Sequence, residues 1–262
     1  MRQYTYGPFK SRRLGLSLGV DILPKNKLCT YNCVYCEIGP TNKVVSPKYR
    51  IKAPPSFNYS RELKDILKYV PHLDSITLGY NGEPTLNENL LDFYTITKNV
   101  RDLLKWDKKP PQITLFTNSS TLYSDEIRER VKYFDLVLAK LDSAVDVDFQ
   151  KTNQPHQECP SLDVIINSLE KLKREMKPNK LAIQCLIYNS NRKDFISNNN
   201  NENINQLAYA LKKISPDIIQ IYSIARIPSE PFVFAIDEER KREIVKIIKK
   251  TINNDLIKID YY

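Results

Sequence analysis

Short runs rich in Ile, Leu and Val alternate along this chain with longer stretches whose apolar residues recur at helical spacing. The short runs read as strands and lie at Leu16–Leu23, Asp74–Leu78, Gln112–Thr117, Asp135–Leu141, Lys180–Tyr188 and Asp217–Ser223. The longer stretches, Ser60–Tyr69, Asn87–Trp106, Ser124–Lys132, Ser161–Met176 and Asn203–Ile214, read as amphipathic helices, several opening on a Ser or Asn able to cap the first turn. A further capped helix is expected at Asp237–Asn253, followed by an apolar run, Leu256–Asp260, suited to a final strand. Such alternation predicts βαβ units on a parallel sheet, and six units can be counted, with no internal repeat.

The connection after the first strand carries Cys29-Thr30-Tyr31-Asn32-Cys33-Val34-Tyr35-Cys36. Three thiolates spaced C-x3-C-x2-C can hold three corners of a cubane iron–sulfur cluster. Such clusters normally take four cysteine thiolates, so this triad leaves the fourth iron open to an outside ligand. A zinc site would need paired Cys/His spacings, and the remaining candidates, His72, His156, Cys159 and Cys185, lie far off and unpaired. A disulfide framework is disfavoured by an odd count of five cysteines in a chain of 262 residues, long enough to bury its own core. Chance occurrence of the spacing is the remaining alternative.

Cys29, Cys33, Tyr35 and Cys36 form a C-x3-C-x-aromatic-C signature that resembles the radical S-adenosylmethionine (SAM) superfamily. The resemblance implies a 4Fe-4S cluster on the three cysteines and SAM chelated to the open iron, with Tyr35 near the adenine. In that family an electron from the cluster cleaves SAM to methionine and a 5′-deoxyadenosyl radical. It also implies an α/β fold, an open (β/α)6 partial barrel with N- and C-terminal extensions. The whole chain, 1–262, is then one domain with a core at about 16–225, an extension at 1–15, and a helix and short strand in 226–262.

Ligands of parallel α/β folds bind at the carboxyl ends of strands. The second strand runs into Gly79-Tyr80-Asn81-Gly82-Glu83-Pro84, which resembles the Gly-Gly-Glu-Pro segment that binds the SAM amino group in this family, with Asn81 replacing the first glycine. By themselves Asn-Gly and Glu-Pro are turn signals; after a strand and downstream of the triad, Asn81, Gly82, Glu83 and Pro84 read as SAM ligands. Thr117, Asn118 and Ser119 end the third strand and can hydrogen-bond ribose hydroxyls or a carboxylate, or simply lead into a helix. Lys140 interrupts the fourth strand's apolar run and can meet a carboxylate, with Asp142 accepting from hydroxyls; an internal ion pair is the alternative. Gln184 and Tyr222 read either as ligands or as satisfied core polar groups. Cys185 reads as a buried structural cysteine rather than a hydrogen-atom donor, and Cys159, beside Pro160, suits an exposed loop.

Two segments outside the units are candidates for addressing a substrate: Tyr4–Gly15, with Lys10, Arg12 and Arg13, and the loop Glu37–Tyr59. The latter interleaves Lys43, Lys48, Arg50 and Lys52 with Tyr49, Phe57 and Tyr59, which suits phosphate contacts and base stacking as well as it suits a solvated face. Forty basic against 31 acidic residues give a charge of +9, which points weakly to an anionic partner, while Ser197–Asn201 reads as an exposed flexible loop. With no apolar run long enough to span a bilayer and no apolar core at the start, a cytoplasmic protein without membrane contact is expected.

The order S-R-R-L-G-L-S-L-G-V-D, the cysteine loop, G-E-P-T-L, T-N-S-S and L-V-L-A-K-L-D-S resembles, over about residues 6–235, short radical SAM proteins related to the wyosine-base synthases of tRNA. The chain departs from those synthases in lacking a second cysteine triad, and no pyruvate-binding lysine can be placed by motif. The kinship implies radical SAM chemistry on a substrate such as a tRNA nucleoside, with an electron donor such as ferredoxin or flavodoxin. The alternatives are a radical SAM enzyme acting on a peptide or small metabolite, an iron–sulfur electron-transfer or redox-sensing protein, and, more distantly, a zinc RNA-binding module.

Overall fold

The computed structural model describes residues 2–262 and builds them around one eight-stranded sheet. Its strands are β1 (Thr5–Ser11), β2 (Gly15–Val20), β3 (Ser75–Leu78), β4 (Gln112–Thr117), β5 (Leu136–Lys140), β6 (Lys180–Leu186), then, after β7 (Tyr188–Ser190), β8 (Ile218–Tyr222), and, after β9 (Val233–Ala235), β10 (Lys258–Tyr261). The order β2-β3-β4-β5-β6-β8-β10 is parallel throughout and follows the chain without reversal, which curls the sheet into the open half-barrel expected from the sequence. Helices α1 (Phe57–Leu67), α2 (Leu90–Asp102), α3 (Asp125–Val131), α4 (Asp146–Asn153), α5 (Leu162–Glu175), α6 (Asn201–Ile214) and α7 (Glu238–Ile252) fill the crossovers. No helix among the described residues is long and apolar enough to cross a membrane.

The two faces of each strand do different work. On the convex face Leu18, Ile76, Ile113, Val137, Ile183 and Ile219 join Leu63, Phe93, Leu169, Leu207 and Ile244 from the helices in one buried core. Burial of such a core is the dominant favourable term in folding. The concave face is mixed: Ser17, Thr77, Ser75 and Thr114 pass hydroxyl hydrogen bonds of 2.9 Å between β2, β3 and β4. Leu136, Leu138 and Ala182 fill the lower lumen of β5 and β6 with a small apolar cluster. Both faces are therefore covered near the bottom, which explains why the strand runs show little alternation.

Several boundaries differ from the sequence reading. The segment expected to precede the sheet contains β1, which pairs antiparallel with β2 along one edge. The fifth run, expected as one strand, breaks into β6 and β7, and β7 pairs with the unanticipated β9. Helix α4 was not anticipated because its sequence DVDFQKTN has no apolar stripe, yet it buries Phe149, Thr152 and Asn153. Ser56, Ser124 and Ser161 occupy N-cap positions without a side-chain bond, whereas Asn200 and Asp237 accept from the N–H groups of Asn203 and Arg240.

The largest correction falls on Ser197–Asn201, which is not an exposed flexible loop. Asn198 is fully buried; its amide donates to the carbonyls of Asp142 (2.9 Å) and Leu186 (2.7 Å) and accepts from the Tyr188 N–H at 3.1 Å. One polar side chain thus ties the ends of β5 and β6 together at the barrel mouth. Asn198→Ala would strand the Leu186 carbonyl and the Tyr188 N–H and leave the Asp142 carbonyl only the longer 3.4 Å bond from Asn203, and is expected to lower stability by about 3 kcal/mol, read as a fall in the urea midpoint with an unchanged slope.

Candidate functional site

The cysteine loop leaves β2 and is pinned on several sides over the carboxyl ends of the strands. Towards β3 it pairs with the glycine-rich turn: the Leu28 N–H donates to the Asn81 carbonyl at 3.0 Å and Glu83 N–H to the Leu28 carbonyl at 2.8 Å. Gly82 makes this pairing close, since its φ is +131° and a Cβ built there would sit 1.7 Å from the Leu28 oxygen. Towards α4, the N–H of Asn32 reaches the carbonyls of Asn153 (3.0 Å) and Gln154 (3.1 Å), and that of Val34 the carbonyl of Thr152 at 3.0 Å. These bonds satisfy carbonyls that a helix end leaves without partners. Towards β4, Thr30 Oγ1 bonds Ser120 Oγ at 2.7 Å and accepts from Asn118 Nδ2 at 2.8 Å.

Each cysteine sulfur of the loop has its own nitrogen donor. Asn118 Nδ2 lies 3.5 Å from Cys29 Sγ, Asn153 Nδ2 lies 3.5 Å from Cys33 Sγ, and Lys27 Nζ lies 3.2 Å from Cys36 Sγ. Donors of this kind favour the thiolate, the form in which cysteine binds metal. Among the described residues no three His, Cys, Asp or Glu side chains converge on a site for a single metal ion. A cubane cluster asks for something else, one thiolate to each of three irons.

Next to Cys33 lies a buried carboxylate that gathers the neighbouring elements. Asp142, 2% exposed just beyond β5, accepts from Leu186 N–H at 2.8 Å and Lys140 Nζ at 3.4 Å through one oxygen. Its other oxygen takes the Tyr35 hydroxyl and Asn153 Nδ2, the latter at 3.0 Å. Lys140 also donates to Tyr222 Oη at 2.7 Å, with its ammonium 4.4 Å from the Tyr35 ring centre. Burial draws the Lys140 ammonium down, but Asp142 and Tyr222 outweigh it and hold the group charged.

The other expected residues fall nearby, in more internal roles than as free ligands. Glu83 is fully buried and accepts from Thr85, from Thr117 Oγ1 (2.9 Å) and from the Asn118 N–H (2.6 Å). Burial pushes its carboxyl up from the usual range, against the lowering pull of those donors. Pro84 opens a single buried 3-10 turn, and Asn81 braces the approach to the cysteine loop by donating to the carbonyls of Pro24 and Lys25 at 2.8 Å. Ser119, at φ +73°, donates to the Lys140 carbonyl at 2.8 Å and locks β4 to β5. Gln184 bonds Gln220 at 2.8 Å across β6 and β8.

Other candidates lie elsewhere or are otherwise engaged. Cys185 is buried in the convex core, away from the lumen, and Cys159 is half-buried, 3.8 Å from Tyr31 Oη. In the loop Glu37–Tyr59, Tyr59 belongs to the core of α1, Lys52 meets Glu88 at 3.8 Å, and Arg50 bonds the carbonyls of Pro47 and Tyr49. Lys43, Lys48, Tyr49 and Phe57 remain exposed. A depression of about 460 Å³ between α3 and α5 is lined by Asp125, Arg128, Glu129, Lys171, Arg174 and Glu175, all remote from the cysteines. Sequence reasoning missed Lys27, Asn153 and Asn198; the only local signal was that Lys27 lies two residues before Cys29.

Comparison with known proteins decides the lineage. The UPF0026 protein MJ1312 of Methanocaldococcus jannaschii is 30% identical over 254 residues, 97% of this chain and 74% of that protein. The chain belongs to the UPF0026 family. A UPF0026 protein of Helicobacter pylori is 34% identical over 152 residues, and a protein named GTPase Obg of Brachyspira hyodysenteriae is 30% identical over 241 residues. The chain spans 33% of the Brachyspira protein and 46% of the Helicobacter one. No family model matches. Among solved structures, SuiB of Streptococcus suis bound to S-adenosylmethionine aligns over 93% of this chain and 49% of its own, at 13% identity and TM-score 0.60. TYW1 with a lysine-pyruvate adduct aligns over 89% and 73%, at 14% and 0.59, and anSMEcpe with bound AdoMet over 92% and 61%, at 15% and 0.60. This UPF0026 chain thus has the radical SAM fold.

The thiols themselves give a pH prediction. Burial raises Cys29 to about 12, with Cys33 adding to it, and raises Cys33 to about 11, with Cys36 adding to it; burial alone raises Cys159 to about 11. Unfolded, these thiols titrate near about 8.5, so the metal-free fold holds protons that the unfolded chain releases. Their stabilisation is complete below that value and is lost as pH rises through it towards the folded values. The urea midpoint of metal-free protein is expected to fall between about pH 7 and about pH 10, and less steeply in Cys33→Ala.

Proposed function

We propose that this UPF0026 protein is a radical SAM enzyme: Cys29, Cys33 and Cys36 hold a 4Fe-4S cluster, SAM binds beside it, and the substrate is a tRNA nucleoside. The observation that carries the reading is the set of three sulfurs in one loop, each facing a separate N–H donor at the carboxyl ends of the half-barrel strands. Orphaned polar atoms support the fit, since Ser143 Oγ and Asn153 Oδ1 are buried without partners among the described residues beside Asp142. Held by Cys29, Cys33 and Cys36, a 4Fe-4S cluster would supply the one electron that splits bound SAM at its S–C5′ bond into methionine and a hydrogen-abstracting 5′-deoxyadenosyl radical.

The protein's own residues then bind and orient. The turn Asn81-Gly82-Glu83-Pro84 offers backbone carbonyls for the SAM ammonium, and Glu83 fixes that turn to Thr117 and Asn118. Lys140, kept charged by Asp142 and Tyr222, suits a carboxylate, with Asn118, Ser119 and Gln184 lining the neighbouring strand ends. Tyr35, held through its hydroxyl by Asp142, fixes the last turn of the loop and takes the place near the adenine. Ferredoxin or flavodoxin would supply the electron. The sequence-motif kinship with the wyosine-base synthases of tRNA and the +9 charge support tRNA over a peptide such as the precursor SuiA bound by SuiB. A GTPase reading has little to rest on, because none of the six glycines precedes a lysine and the chain therefore has no phosphate-binding P-loop.

Anaerobic reconstitution with iron and sulfide, dithionite reduction and chromatography for 5′-deoxyadenosine test the proposal. Cluster-dependent product is expected from the native chain and none from Cys33→Ala; native protein that takes up no cluster would sink it. Lys27→Met removes a positive charge next to Cys36 Sγ and is expected to lower the cluster midpoint potential by several tens of millivolts, read by redox titration under electron paramagnetic resonance.

A further inference from the structure

The turn between β1 and β2 enters the bottom of the half-barrel. Leu14 packs on the lower lumen cluster of Leu136, Leu138 and Ala182, and Arg13 rises beside it towards the mouth. Its guanidinium carbon lies 4.3 Å from the Tyr222 ring centre and 5.9 Å from that of Phe116. Those rings lie on the concave face, Phe116 in register with Leu138 and Tyr222 with Leu186. Stacking holds the plane of a guanidinium but leaves its edge donors unused. Among the described residues nothing accepts a hydrogen bond from the Arg13 side chain, and Nη1 is buried without a partner. Lys140 approaches the same Tyr222 ring, 5.1 Å from its centre, and itself meets Asp142 at 3.4 Å. Gln220, two residues before Tyr222 on the same face, adds an amide whose N–H2 no described residue accepts.

Arg13 is half-buried, and a guanidinium edge donor buried without a partner, as its Nη1 is, is costly unless an acceptor completes it. We propose that Arg13 is a substrate-recognition residue: with Gln220, and beside the Lys140 assigned above to SAM, it forms a lumen site for an oxyanion, the carboxylate or phosphate of the molecule that enters the barrel. The inference rests on the radical SAM reading only in calling that molecule the substrate. The guanidinium fork is the group that reads two oxygens at once, which a lysine at this position could not do.

The test is isothermal titration of the cluster-free full chain, without SAM, in one arm with inorganic phosphate and in the other with succinate, at low ionic strength. Saturable binding of at least one anion is expected, the stronger arm identifying the group. Arg13→Gln should weaken it by at least about tenfold, Arg13→Lys should weaken it less, and Lys109→Gln, in an exposed loop, should not change it. Thermal midpoints show which variants fold, and if Arg13→Gln does not, Arg13→Lys carries the comparison. Absence of saturable binding of both anions to the native chain, or binding unchanged in Arg13→Lys and Arg13→Gln, would overturn the site. Because neither cluster nor SAM is present, that failure would leave the radical reading to its own assay.

Discussion

The barrel mouth depends on the buried carboxylate of Asp142. Four donors meet it from four places: Tyr35 from the cysteine loop, Asn153 from the end of α4, Lys140 from β5 and the Leu186 N–H from β6. A carboxylate this deep is tolerated only when its oxygens are satisfied and a cation compensates it. Here the compensation also positions, since Lys140 and Tyr35 are held where the lumen opens. Asn198 adds the backbone half of the same knot by bonding the Asp142 carbonyl. The knot joins elements more than 100 residues apart in sequence, Tyr35 and Asp142 being separated by 107.

The cysteine loop depends on that knot in turn. Asn153 donates to both Asp142 and Cys33 Sγ, so one amide connects the carboxylate to a sulfur. Asn118 connects Cys29 to Thr30 and, through its own N–H, to Glu83. Two of the three sulfur donors are therefore parts of hydrogen-bonded networks that also fix the strand ends. The third, Lys27, is local and is held by the Gly39 carbonyl at 2.5 Å. In this fold the placing of the nitrogen donors around the three sulfurs is thus set by tertiary contacts rather than by the loop alone.

What could be read from the sequence follows from how local each signal is. The six parallel strands and most of the helices were legible because their apolar faces repeat over many residues, as in LDVIINSLEKLKRE of α5. The cysteine spacing was legible because three ligands share one loop. Helix α4 and Asn198 were not, because they earn their places through buried polar contacts that leave no periodic trace. The segment Ser197–Asn201 looked like solvent-facing low complexity, yet an asparagine amide is a short side chain that can donate twice and accept at once between two strand ends, as Asn198 does. Tyr59 misled in the opposite sense: in a basic loop it read as a stacking platform or part of a solvated face, but it is fully buried and bonds Thr97 at 2.6 Å.

The open edges of the half-barrel explain the two parts of the chain that the βαβ count left over. A parallel sheet that stops before closing exposes two strand edges, and the lumen between them is wet unless something fills it. At one edge β1 covers β2, and the ring of Tyr6 lies so close over Gly19 that a Cβ there would come within 2.0 Å of it. At the other edge β10 covers β8, with Tyr262 continuing the ladder through a 3.0 Å bond to the Ile221 carbonyl. Both additions lie outside the six crossover units, and the first also delivers Leu14 and Arg13 into the lumen from below. With the bottom closed by this turn, the polar face of the lumen ends at the strand ends over which the cysteine loop is folded.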